Sequence, residues 1–197
     1  MVNNFNQIQG ILIPKDQNDL FYHLQIIRRG KDHPDLPSAN RTIKTYWITS
    51  AEHLEKVKDE IINLCEVFKA RAYINIAEKS VEKLSKLALF NLSKRIYDGD
   101  YKHIWKSFQT AAGELKSKSP KWIIDVDNPE VDEQSFMKVI NTCKPKAVNK
   151  YICTIPTKNG YHLITKPFDL KRFKEFYPEV DVHRNNPTVL YIPKSLD

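Results

Sequence analysis

The sequence predicts a two-lobed α+β protein, with an N-terminal α/β lobe over residues 1–118 and a lobe over 119–197 built on a ferredoxin-like, RNA-recognition-type sheet. Three observations predict it. Strand-like and helix-like periodicities interleave along the whole chain. A polar stretch containing Pro120, Lys116–Lys121, separates two such sets. The set after it runs strand–helix–strand–strand–helix–strand, the order of a ferredoxin-like sheet. The chain has 197 residues, enough for one domain with a full core or two small lobes sharing a cleft.

In order, Ile8–Ile13 and Leu20–Ile27 are apolar stretches, and the second reads as a strand from its aromatic and branched residues. Lys31–Arg41, rich in proline and turn formers, reads as a loop. Ile43–Thr49 reads as a strand. Ser50 is a helix N-cap, and Leu54, Val57, Ile61, Leu64 and Phe68 carry helical spacing through Ala51–Phe68. Ala70–Ala77 alternates like a strand. Val81–Tyr97 is helical, with Leu84, Leu87, Ala88, Leu92 and Ile96 on one side, and Asp98-Gly99-Asp100 breaks it. Trp105–Leu115 adds a further helix. After the joint come an apolar strand, Trp122–Asp127, and a helix, Glu133–Thr142. Tyr151–Ile155 and Tyr161–Thr165 form a hairpin turned by Asn159-Gly160. Phe168–Phe176 is a short helix and Val189–Ile192 the closing strand.

The formal net charge is +7 and the pI about 9.2, a balance that favours a polyanionic partner. No run of about 18 apolar residues is present, and the N-terminus lacks the basic start and apolar stretch of a signal peptide. A cytoplasmic protein with no membrane contact is expected. Cys65, Cys143 and Cys153 are widely spaced among apolar neighbours. They read as reduced core thiols, and they lack the Cys-x-x-Cys pairs of a zinc ribbon.

Three pieces of the last third carry the chemistry. Trp122–Asp127 is an apolar run ending in two carboxylates, and strand alternation points Asp125 and Asp127 to one face. Adjacent acids resist burial and suit a divalent cation. The bland alternative is a strand-end turn into Asn128-Pro129. The second piece, Asn159–Ile164, places His162 after Gly160, whose missing side chain leaves room for a ligand, with Lys158 beside it. A His, a Lys and a tight glycine turn can hold a triphosphate, although a lone His is more often a satisfied half-buried side chain. The third, Glu179–Asn186, offers Asp181 as a third carboxylate and Arg184 as a phosphate or template contact, or else simply a polar connection.

In this order and strand context the pieces resemble the archaeo-eukaryotic primase superfamily, which includes the primase-polymerases. That family is marked by a hydrophobic strand ending in Asp-x-Asp, a small-x-His strand and a hydrophobic-Asp strand. Here these are Ile124-Asp125-Val126-Asp127, Gly160-Tyr161-His162 and Val180-Asp181, and the Asp181–Asn185 stretch is similar to the Asp followed by Arg-Asn of the primase-polymerase branch. The resemblance covers residues 70–193. It implies a DNA primase or primase-polymerase, with Asp125, Asp127 and Asp181 holding two magnesium or manganese ions. It also implies that His162 contacts the phosphates of a nucleoside triphosphate, and that a single-stranded DNA template is copied. Lys158, Gly160 and Arg184 are expected around the nucleotide, and Arg28, Arg29 and Arg71 on nucleic acid. Many family members carry a helicase, a zinc element or a helical C-terminal domain. None is legible here, so unwinding is expected from a separate helicase, and a phage, plasmid or other mobile element suits such a core.

A different class stays open: a non-catalytic single-stranded nucleic-acid-binding module on the same sheet, using Arg28, Arg29, Lys158, Tyr151 and Tyr161. A replication-initiation nuclease is disfavoured, because no His-x-His metal pair occurs.

Overall fold

The computed structural model describes residues 1–12, 19–34, 40–127, 132–146 and 148–196. Ile13, residues 35–39 of the expected loop before Arg41, and the Asn128-Pro129 turn lie outside the described residues. The described chain is mixed α+β, with two antiparallel sheets and six α-helices.

The larger sheet is built from β1 (Val2–Asn3), β2 (Leu20–Arg28), β3 (Arg41–Ile48), β4 (Arg71–Ile74), β5 (Lys79–Ser80) and β10 (Thr188–Ile192). Its order is β1-β10-β4-β2-β3, with β5 paired to β2. Alternation along β2 sends Tyr22, Leu24 and Ile26 into one core, where α2 (Ala51–Phe68) covers them with Leu54, Ile61 and Cys65. Ser50 caps α2 as expected, accepting a hydrogen bond of 3.1 Å from the His53 amide. Lys69 ends it in the left-handed conformation. The other face of β2 and β3 presents Phe21 and Trp47 to α3 (Val81–Tyr97) and α4 (Ser107–Glu114). The expected helix over Trp105–Leu115 is split, because Ile104–Lys106 form a single 3-10 turn before α4. On α3, Leu84 and Ala88 are buried, but Ile96, expected on the same apolar side, is half exposed.

The smaller sheet comprises β6 (Trp122–Val126), β7 (Tyr151–Pro156), β8 (Tyr161–Thr165) and β9 (Val182–His183), in the order β7-β8-β6-β9. Helices α5 (Glu133–Thr142) and α6 (Leu170–Lys174) cover one face, burying Ile124, Val126, Phe136, Ile140, Leu163 and Phe173 together. The opposite face sends Ile123, Ile155 and Ile164 into the core of the larger sheet. Ile123, Ile124 and Val126 of the central strand β6 are thus buried on its two faces, which explains why β6 reads as an unbroken apolar run before its acids. The remaining helix, α1 (Phe5–Gln9), packs Phe5 and Ile8 into the same shared core.

One expectation is overturned. Val189–Ile192 does not close the small sheet. The chain makes only the two-residue β9 there, and then Thr188–Ile192 crosses over to pair with both β1 and β4. The cause is composition: all five residues of β10 are buried, which requires a central position between two strands, whereas the small sheet offers only an edge. The joint is also pinned. Lys121 Nζ reaches Glu78 at 2.8 Å in a largely buried ion pair, and Asn75 Nδ2 donates to the Asn185 carbonyl at 3.0 Å. All three thiols are free, with Cys65 and Cys143 buried. Among the described residues, no helix is long and apolar enough to cross a membrane.

Candidate functional site

The two sheets meet at an open cleft of about 260 Å³. Strand β6 delivers Asp125 on the face turned toward the larger sheet, and Asp127 follows two residues on, just past the strand end. Across the cleft stand Arg29 and Lys31, after the end of β2, and Arg71 and Tyr73 on β4; Lys158 closes it from the β7–β8 loop. The acids therefore come from one sheet and most of the cations from the other. An adjoining cleft shares Arg29, Tyr73, Asp125 and His162 and adds His183.

Register brings His162 to Asp125, because β8 pairs these residues directly. His162 Nε2 lies 3.3 Å from Asp125 Oδ1, and its Nδ1 shares a hydrogen bond of 2.7 Å with Thr188 Oγ1. Asp125 on one ring nitrogen and Thr188 on the other together fix the orientation of the imidazole. His183 Nε2 sits 3.9 Å from the other oxygen, Asp125 Oδ2. The hydrogen bond from His162, reinforced by the charge of both imidazoles, lowers the Asp125 pKa despite partial burial. Asp125 is accordingly a well-held carboxylate, whereas Asp127 is exposed at the strand end.

The other expected residues divide. Asp181 precedes β9 and its carbonyl accepts the Asp125 amide at 3.0 Å, so the two residues are opposed in the sheet. Its side chain is exposed and lines neither cleft. Arg184 is held over the Trp122 ring, 5.1 Å from its centroid, and lines neither cleft. Arg28 also stays out of the cleft, while its neighbour Arg29 donates to Tyr73 Oη at 2.9 Å within it. Arg71 is committed to Asp32 at 2.5 Å, with both side chains about nine-tenths buried. Lys158 Nζ donates to the Leu196 carbonyl at 2.7 Å. The space left by the missing side chain of Gly160 is filled: a Cβ there would lie 1.9 Å from the Val126 carbonyl oxygen. The glycine lets the hairpin loop rest on the end of β6 and so sets where Asp127 emerges. Tyr161 packs on the helix-covered face and Tyr151 lies exposed on the outermost strand.

Sequence reasoning missed Lys31, Asp32, Tyr73, His183 and Thr188. Three had a signal. Lys31 continues the Arg28-Arg29 cluster, Tyr73 shares a strand face with Arg71, and His183 shares one with Asp181. Thr188 had none, since only the displaced β10 brings it to His162.

The donors at the cleft are carboxylate oxygens and imidazoles, and Asp125 and Asp127 on one face are the hard ligands that magnesium or manganese prefers. Among the described residues, no three His, Cys, Asp or Glu side chains gather closely enough to form a ready-made metal cage. In chemistry the pair fits a cation that retains water and substrate oxygens as its remaining ligands. Comparison with protein-family models, with curated proteins and with solved structures finds no match to this chain.

Proposed function

We propose that the chain is a metal-dependent nucleotidyltransferase of the primase-polymerase kind, acting on nucleoside triphosphates along a single-stranded DNA template. One observation carries the reading: an acid pair on a strand end faces Arg29, Lys31, Arg71 and Lys158 across a single cleft. A polyphosphate that arrives with its metal needs both signs of charge within one small space. The smaller sheet's strand order is that of the ferredoxin-like arrangement expected for such a core.

Asp125 and Asp127 would hold the divalent cations, with Asp181, opposed to Asp125 in the sheet, as the further carboxylate the resemblance implies. Bound there, such cations supply the clamp on the attacking hydroxyl and the departing pyrophosphate. The protein's own part is positioning. His162, fixed between Asp125 and Thr188, presents an imidazole edge to the cleft beside the phosphates. Arg29 and Lys158 offset phosphate charge from opposite walls. Arg71, paired to Asp32, stiffens β4 and keeps the guanidinium at the cleft wall. Unwinding of the template falls to a separate helicase on this reading.

The alternative, a non-catalytic binding module stacking bases on the small sheet, is weakened by Ile123, Ile155 and Ile164, which bury that sheet's second face, and by Tyr161, which packs under α5 and α6.

The test is incorporation of labelled nucleotides on a single-stranded template with magnesium or manganese, with and without primer. Metal-dependent products that vanish in Asp125→Ala/Asp127→Ala support the reading. No product with either metal, primed or unprimed, by a protein that binds template removes it.

A further inference from the structure

A third cleft of about 960 Å³ lies along β3 and α4. It joins the acid-bearing region at Asn40, which lines both this cleft and the one containing Asp125 and His183. Its character differs from the acid site. Arg41, Lys44 and Lys106 line it together with Trp47 and Gln109, and among the described residues no carboxylate does. Lys44 is paired with Glu60, whereas Arg41 and Lys106 are exposed and have no carboxylate partner among the described residues. The Trp47 indole forms part of the lining and is held in place edge-on by Phe21 and Phe108.

We infer that this groove binds a single nucleic-acid strand and leads it past Asn40 to Asp125. Cations without carboxylates select a polyanion. A fixed indole among them selects exposed base faces, which a single strand offers and a duplex hides. Thr42 and Gln109 supply hydrogen-bonding groups with no pattern that would discriminate between bases, so binding is tolerant of sequence. A protein strand is the poorer occupant. Although β3 is an edge strand, the exposed Arg41 and Lys44 along it oppose strand addition. The exposed apolar side chains of α3, Leu89, Phe90 and Tyr97, lie outside this groove.

The inference deepens the reading above by locating the template, but the binding it predicts does not depend on catalysis. The test is fluorescence anisotropy with a labelled thymidine oligonucleotide of about 20 nucleotides, longer than a typical single-strand site. Arg41→Glu/Lys106→Glu is expected to weaken binding about tenfold or more. Neutralising two phosphate contacts should reduce the slope of log affinity against log salt by about 1.4. Lys138→Glu/Lys171→Glu, an equal change of charge on exposed positions of α5 and α6, is expected to bind like wild type. Asp125→Ala/Asp127→Ala should bind as well as wild type or better. Thermal melting by circular dichroism checks folding, and Arg41→Gln/Lys106→Gln serves if the reversal does not fold. Wild-type affinity in the groove variants overturns the inference. So does an equal loss in the α5/α6 control, or preference for a duplex of the same length. Groove-dependent binding by a protein that incorporates no nucleotide leaves this inference standing and removes only the catalytic one.

Discussion

The two sheets contribute opposite halves of one site. The small sheet, its central strand β6 buried on both faces, brings the acids and His162; the large sheet, open on part of one face, brings Arg29, Lys31, Arg71 and Tyr73. Neither half would make a site alone. Acids on a rigid apolar strand lack counter-charge, and cations on an open sheet are ordinary surface groups. The position of the cleft follows from how the sheets are fastened, so perturbations should sort by whether they strike the acids, the fastening or the cations.

The largest effect belongs to the acids. On the function proposed above, Asp125→Ala/Asp127→Ala should lower nucleotide incorporation at least about 10³-fold, since a metal clamp supplies several kcal/mol of barrier lowering, against a loss of only about 1 kcal/mol in urea unfolding for the contact to His162. Next comes the fastening of loop to strand. Gly160→Ala places a methyl against the Val126 carbonyl and should cost about 3 kcal/mol or more in urea unfolding; an unchanged midpoint would mean the loop moves freely. On the cation side, Asp32→Ala leaves Arg71 buried without its partner, at a cost of about 3 kcal/mol. Asp32→Leu/Arg71→Met should recover most of that loss, and failure to do so would mean the pair is more than a structural tie.

Acid should loosen the large sheet before the small one. Burial, aided by the Lys79 charge, pushes His23 down to about 4. The unfolded chain protonates this ring near pH 6.5, so stability from it is complete above that value and is lost as pH falls toward 4. Asp125, with its pKa lowered below 3.8 by His162, loses its share only at lower pH still. Replacing His23 with Gln should flatten unfolding free energy between pH 6.5 and 4; a slope that persists assigns the transition elsewhere. The smallest effect is expected at Thr188→Val, about 1 kcal/mol for one hydrogen bond to His162, restored by Thr188→Ser.

Local structure was largely legible because local signals decided it. Ser50 begins α2, Val81–Tyr97 and Glu133–Thr142 are helices at the expected bounds, and Asp125 and Asp127 line one cleft. What periodicity cannot supply is a partner. Val189–Ile192 was recognisable as a strand but not as a member of the large sheet, because pairing depends on edges far away in sequence. The same limit hid Thr188 from His162 and Asp32 from Arg71. It also hid the neighbour of Arg184, which was expected at the nucleotide and is observed over the Trp122 ring.

The displaced strand β10 has a consequence for how the chain must be made. During synthesis β1, β2, β3 and β4 leave the ribosome long before Thr188–Ile192, yet β1 has no sheet to join until β10 arrives to sit between it and β4. The first half of the protein must therefore wait with an open seam, and the seam closes only after the acid-bearing half has been produced. A nascent chain stalled before Thr188 would carry unpaired backbone on both β1 and β4. Folding and assembly of the cleft thus become a single late event.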